Sequence, residues 1–361
     1  MFRTLLAGAF GRRAQPVVPS QLETARAHAA AGETEAAMHG YRAVLAREPD
    51  QPEALMFLAD AAYMREEFAE ALRHTEHLSR LDPARADFIA RCARCEHKLG
   101  HAARARELGL CALHMREDLT EVHLMLSEMD MPGSPYREVL RRIHDTLRPR
   151  SYVEIGVFQG YTMALAAPGT RALGVDPAPQ LQVALPPGAQ IYAQTSDDFF
   201  AQHDVRAELG GLPVDLAFID GMHRFEFALR DFMNLEACCT TESVILVHDC
   251  YPLNRATATR DQLTTFWSGD IWRLIVLLKR HRPDLHVRTI AASPTGLGII
   301  TGLDPNSTYI ADHLQDMIEE GLALDFGTLE ADKPAQLNRC GNQWLEITPL
   351  LPAPFRAAVP A

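Results

Sequence analysis

Two short stretches set carboxylates beside imidazoles at the ends of apolar runs: Phe218-Ile-Asp220-Gly-Met-His223 and Val247-His248-Asp249. If the two runs are strands of one open parallel sheet, their carboxyl ends face a common crevice, where such sheets bind ligands. Asp220, His223, His248 and Asp249 then converge. Two carboxylates and two imidazoles offer oxygen and nitrogen ligands to a divalent cation, with Mg²⁺ favoured where oxygen dominates. A hydroxyl is barely acidic, and a bound metal eases its deprotonation; for water the effect is as large as ~15.7 to ~7 in pKa. A nearby imidazole can take the proton.

A second constellation lies upstream. Glu154-Ile-Gly156-Val-Phe-Gln-Gly160 closes the first apolar run of this region, and Asp176 closes the next, 20 residues after Gly156. The glycines permit a tight turn and close approach of a ligand. The spacing is Gly-x-x-x-Gly with an acid two residues before it, which suits a cationic, amino-acid-bearing ligand better than a pyrophosphate. A carboxylate at Asp176 can accept both hydroxyl protons of a ribose. Ser196-Asp197-Asp198 follow the third run; the two acids also read as a pair at a helix start.

These groups need a sheet to position them. After the turn-rich break Met131-Pro-Gly-Ser-Pro135, Tyr136 to Thr146 reads as an amphipathic helix. Short apolar runs then alternate with helical segments, as in a parallel sheet covered by helices. The runs are 152–155, 172–175, 190–192, 214–219 and 243–247. Beyond a long insertion, Asn254 to Asp284, runs 285–290 and 296–301 suit an antiparallel closing pair. Trp267, Trp272 and the Leu274–Leu278 stripe of the insertion read mainly as core, with a sugar-stacking role open for the tryptophans. Residues 302–361 show one helix, Tyr309 to Glu320, and a Pro/Ala-rich tail.

The first 130 residues repeat. Ala25, Ala59 and Ala93 are 34 residues apart, as are Ala37, Ala71 and Ala105, and Pro49 and Pro83. Gly32 recurs two periods on as Gly100. Small residues at fixed places in a two-helix unit let neighbouring helices approach closely, and a proline stops each unit. The pattern resembles tetratricopeptide repeats over about 18–119, with a partial helix at 120–129. It departs from that family in lacking a tryptophan near the unit starts and in ending its third unit at Glu117. Such repeats hold peptides, dimerise or pack, so a protein partner and self-association are both open.

The stretch 136–301 resembles class I S-adenosylmethionine-dependent methyltransferases. The resemblance implies a Rossmann-like α/β domain in which Glu154, Gly156 and Gly160 surround the methionine part of the cofactor. Asp176 holds the ribose, and Ser196 and Asp197 lie at the adenine. Phe-Ile-Asp-Gly-x-His followed by His-Asp is similar to metal-dependent sugar O-methyltransferases and their cephalosporin hydroxylase-like relatives. That branch implies Asp220 and an acidic pair after the fifth strand as ligands of Mg²⁺, with His223 as catalytic base beside Asp220. Here the pair reads His248-Asp249, so an imidazole replaces one carboxylate and the expected metal set is Asp220, Asp249 and His248.

The resulting expectation is an α-helical repeat region followed by an α/β methyltransferase domain, divided as 1–17, 18–130, 136–301 and 302–361. It acts on a glycan or small-molecule hydroxyl, methylating a sugar or glycosylated acceptor. A protein or peptide acceptor held by the repeats is the alternative, as is a repeat scaffold with a non-catalytic cofactor-binding domain. The net charge of −12 argues against nucleic acid, and no apolar stretch reaches the ~18–20 residues of a membrane span. The start, Met1 to Phe10, lacks the long apolar core of a signal peptide, so a cytoplasmic protein is expected. Seven cysteines without paired spacing do not form a disulfide framework or a zinc site.

Overall fold

A computed structural model describes residues 20–355. The expected segment 1–17, the first two residues of the repeats and the end of the tail lie outside the described residues. The chain divides between Met115 and Arg116 into two compact units.

Among the described residues the first unit is three helix pairs: α1 (Gln21–Ala30) with α2 (Thr34–Leu45), α3 (Pro52–Met64) with α4 (Phe68–Leu81), and α5 (Ala86–Lys98) with α6 (Ala102–Met115). Ser20 caps α1 in a reciprocal box with Glu23, and Pro52 opens α3 where its missing N–H costs nothing. Ala25, Ala59, Ala93, Ala37, Ala71 and Ala105 are all buried, so the 34-residue period marks the helix contacts. At Gly40 an added Cβ would sit 2.9 Å from that of Ala25, which shows how closely α1 and α2 approach. The turns within the pairs fall one period apart at Gly32, Glu66 and Gly100, all with positive φ.

The second unit opens with α7 (Thr120–Asp130), which lies beyond the unit boundary, and α8 (Tyr136–Leu147). Then follow β1 (Ser151–Ile155), β2 (Arg171–Val175), β3 (Gln190–Tyr192), α9 (Ser196–Gln202), α10 (Val205–Glu208), β4 (Leu216–Ile219), α11 (Phe225–Cys238) and β5 (Val244–His248). The insertion supplies α12 (Trp272–His281), and β6 (His286–Ile290) and β7 (Leu297–Thr301) close the expected set. The sheet order is β3-β2-β1-β4-β5-β7-β6-β8. Strands β1 to β5 run parallel, while β7 lies antiparallel to both β5 and β6.

Alternation along the strands builds two cores. Val153, Ile155, Ala217, Ile219, Ile245 and Val247 face α11 and α12. Tyr152, Leu216, Phe218, Val244 and Leu246 face Val139, Leu140, Ile143 and Leu147 of α8. The central strands β1, β4 and β5 are buried on both sides, which is why they read as continuous apolar runs. Trp272 and Leu274 to Leu278 are buried, in keeping with their reading as core.

The C-terminal region holds more structure than the single expected helix. It comprises α13 (Tyr309–Asp312), α14 (Leu314–Ala323), α15 (Phe326–Ala331), α16 (Lys333–Gln336), β8 (Arg339–Cys340) and α17 (Trp344–Ile347). Strand β8 adds to the sheet parallel to β6. Its buried anchors, Phe326, Leu329, Leu337 and Ile347, stand singly among polar residues and give no period to read.

Arg282, just past α12, is buried and donates to both oxygens of Glu236 on α11 at 2.8 Å and to Asp284. Breaking such a pair leaves an uncompensated buried charge. Arg282→Met is expected to lower stability by about 3–5 kcal/mol, read as an earlier urea transition of the second unit.

Candidate active site

The site begins where β1 ends. Gly156 turns the chain at φ +88°, and a Cβ there would lie 2.0 Å from the carbonyl oxygen of Asp220. Only glycine lets the β1 turn close against the end of β4. Two hydrogen bonds secure the approach: Gly156 N–H donates to Val175 and Asp220 N–H to Ile155, both at 2.8 Å. Gly160, φ +82°, ends the turn against the Leu181 side chain. Asp176 at the tip of β2 accepts from the N–H groups of Phe158 and Ala178, each at 2.7 Å. Each of its oxygens keeps a lone pair for a ligand hydroxyl.

A cavity of about 640 Å³ opens over these strand ends, a size suited to small-molecule and cofactor ligands. Its wall joins Gly156 and Gly160, Asp176 and Ser196 to Asp220, His223, His248 and Asp249. The two constellations read from the sequence therefore share one space.

Two of the expected residues stand apart from it. Glu154 is fully buried behind the turn, accepting from the Tyr152 hydroxyl at 2.6 Å and the Thr162 hydroxyl at 2.7 Å. Burial pushes its carboxyl up to about 8, against the pull of those two hydroxyls. Thr162 lines the cavity, so it stands between Glu154 and any ligand. Asp197 is turned to Arg230, whose guanidinium donates to both its oxygens at 2.9 Å. The cap of α9 is Thr195, whose side chain accepts from Asp198 N–H.

Asp220, His223 and Asp249 bring one ligand atom each within 4.8 Å of one another. Nε2 of His223 lies 3.0 Å from Oδ2 of Asp249 and 3.7 Å from Oδ1 of Asp220. His248 also reaches the pair, with Nδ1 at 3.1 Å from Asp220 and 3.3 Å from Asp249. Its ring is engaged on the other side by the Thr295 hydroxyl at 3.3 Å and by the Tyr136 ring, 3.9 Å between centroids. Asp220, His223 and Asp249 form the tightest group, and His248, the imidazole the sequence pointed to as a ligand, offers Nδ1 to the same two acids. The two stand close enough that spacing alone could not separate their roles.

Oδ2 of Asp249 is buried and makes no directed hydrogen bond, although two imidazole nitrogens lie within ion-pair range. A buried acceptor left in that state asks for a partner. Two carboxylates and one imidazole nitrogen fit a divalent cation of the Mg²⁺ or Mn²⁺ kind.

The electrostatics agree. Burial pushes Asp220 up, but His248 and His223 outweigh it and hold the carboxyl below its usual range. Burial works against a charged His223, yet Asp249 and Asp220 push it up to about 9. His248 is raised by the same acids, again against burial.

Residues 267–270 of the insertion hold His223 in place. Trp267 stacks on its ring at 5.1 Å, and the indole N–H donates to Thr259. Asp270 N–H donates to the His223 carbonyl, and a Cβ on Gly269 would lie 1.8 Å from that oxygen. Sequence reasoning gave no role to Thr162, Thr295 or Asp231, single polar residues without a motif. Asp231 lines the cavity from α11, and burial pushes its carboxyl up to about 7.

Residues 153–250 match the methyltransferase-domain family, and residues 18–61 match the tetratricopeptide-repeat family. The chain therefore carries a methyltransferase domain behind a tetratricopeptide repeat. No curated protein matches it. Among solved structures, the O-methyltransferase TomG of Streptomyces achromogenes, involved in tomaymycin synthesis and complexed with S-adenosylmethionine, is 16% identical, covering 50% of this chain and 86% of that one at a TM-score of 0.36. An O-methyltransferase from Bacillus cereus is 15% identical over 48% of this chain and 84% of that one, TM-score 0.33. MamA (MSR-1) is 17% identical over 30% of this chain and 62% of its own length, TM-score 0.28.

The placement of Glu154 generates a pH test. Its folded value, about 8, exceeds the ordinary 4.5, so the stability it contributes is complete below 4.5 and is lost as pH rises through 8. Glu154→Gln does not titrate. The melting temperature of the variant is expected to gain on wild type between pH 5 and 9, with S-adenosylmethionine affinity changing by less than about threefold.

Proposed function

We propose that the protein is an S-adenosylmethionine-dependent O-methyltransferase acting on a hydroxyl of a sugar or glycosylated acceptor. The observation that carries the reading is the single cavity shared by the glycine turn, Asp176 and the Asp220–His223–Asp249 group. The turn and Asp176 would hold the amino-acid and ribose parts of the cofactor, with Ser196 beside the adenine.

Methyl transfer is an in-line displacement at a carbon already activated by the sulfonium. The protein must align the acceptor oxygen and remove its proton. Asp220, Asp249 and Nδ1 of His248 would hold a divalent cation, which when bound supplies positive charge beside the acceptor oxygen. His223 is the base in this reading. The two carboxylates that now keep it protonated are the same groups a cation neutralises, and a neutral His223 can then accept a proton at a ring nitrogen. Thr295 and Tyr136 fix the His248 ring with Nδ1 toward the two acids. The repeat unit is assigned to protein contact, with a partner or with a second copy. Among the described residues no helix is long and apolar enough to cross a membrane.

Calorimetric titration with S-adenosylmethionine tests the reading. Wild type should bind saturably, and Asp176→Ala should weaken binding about 10- to 100-fold, the ~1.5–3 kcal/mol of hydrogen bonds to a charged group. Asp249→Asn should lose the heat of Mg²⁺ binding and keep that of the cofactor. Absence of saturable cofactor binding to wild type would overturn it.

A further inference from the structure

The charged groups on the cavity wall are unequal in sign. Asp176, Asp220, Asp231 and Asp249 supply four carboxylates. Arg137 is the one arginine or lysine among the lining residues; His223 and His248, the other basic groups, are each paired with Asp220 and Asp249. Arg137 lies one residue into α8, a segment whose sequence reads only as amphipathic.

Arg137 is exposed, and two aromatic rings place its guanidinium. The carbon of the fork lies 5.6 Å from the centroid of the Tyr136 ring and 5.2 Å from that of Tyr161. Nε donates to the Tyr136 hydroxyl at 3.1 Å, and both rings belong to the cavity wall. Among the described residues no carboxylate lies within ion-pair range of it. One turn along the same helix, Arg141 is paired with both Glu138 and Asp145. A fork oriented by two aromatic rings, with its terminal nitrogens left over, is arranged for planar two-point binding of a carboxylate.

We propose that Arg137 is the anion-binding residue of the cavity and takes a carboxylate of a bound ligand. The inference rests on the reading of the cavity as a cofactor and acceptor site. Two sources share this chemistry. S-adenosylmethionine brings two positive centres, which the acidic wall suits, and one α-carboxylate, which needs a cation not already paired with an acid. Tyr161 belongs to the segment that follows Gly160, so Arg137 stands at the turn expected to hold the amino-acid part. The other source is an acceptor that itself carries an acid, such as a uronic acid sugar.

Titrations of the full chain, wild type against Arg137→Met and Arg137→Lys, distinguish these. The probes are S-adenosylhomocysteine, 5′-methylthioadenosine (which lacks the amino-acid carboxylate) and glucuronate added to the S-adenosylhomocysteine complex. The expected result is a 10- to 100-fold loss of S-adenosylhomocysteine affinity in Arg137→Met. Methylthioadenosine should be unchanged within twofold, and Arg137→Lys should recover part of the loss. Unchanged S-adenosylhomocysteine binding, with glucuronate binding present in wild type and lost in Arg137→Met, would support the proposal with the acceptor as source. Equal weakening of both nucleosides, or no difference between wild type and Arg137→Met for any probe, would overturn it. If wild type binds neither nucleoside, the cofactor reading fails by itself. Glucuronate binding to the ligand-free chain, lost in Arg137→Met or not, then decides the role of Arg137.

Discussion

The contact between the Gly156 turn and the Asp220 carbonyl links the two halves of the site. A side chain at residue 156 would collide with backbone, which cannot give way, and the end of β1 would have to part from the end of β4. The turn proposed to receive the amino-acid end of a cofactor is thereby held against the strand that leads into the acidic cluster. The sheet order sets β1 and β4 side by side and β5 next to β4. Residues far apart in sequence, Asp176, Asp220 and Asp249, reach one cavity through strand registry and not through any loop of their own.

The cluster itself is held by elements that do no chemistry. Both His223 and Asp249 adopt positive φ, at 56° and 62°, a conformation that costs about 1–2 kcal/mol for a residue other than glycine. Such strain persists where the surroundings over-determine it. Here Trp267, Gly269 and Asp270 enclose His223, while Asp270 is itself tied to Arg260, Arg273 and the Phe225 N–H. The insertion between β5 and α12 is thus a brace for the imidazole as well as a wall of the cavity.

Much of this architecture was legible in the residues. Strands buried on both faces appear as unbroken apolar runs, and the period of 34 in the alanines marks buried helix contacts. The glycine spacing and the acid at the end of β2 mark the position of the cavity. What stayed hidden depends on side-chain direction. Glu154 sits at the right place in its motif, yet the pleat turns it inward to Tyr152 and Thr162. Asp197 follows β3 as expected but finds Arg230, 33 residues away. His223 and His248 carry the same chemistry at neighbouring strand ends, and only their surroundings separate them: Trp267 stacks on His223, while Thr295 and Tyr136 fix His248. The C-terminal strand Arg339–Cys340 is too short to leave a pattern.

The central claim is that a cofactor and a divalent cation meet in one cavity, with the cation between Asp220 and Asp249. Anomalous diffraction from crystals of the full chain grown with S-adenosylhomocysteine and Mn²⁺ tests it most directly. The account predicts a manganese peak coordinated by Asp220, Asp249 and one imidazole, with the ribose hydroxyls of the ligand on Asp176. A ligand bound elsewhere, or an occupied cofactor site with no manganese at the two carboxylates, would contradict it.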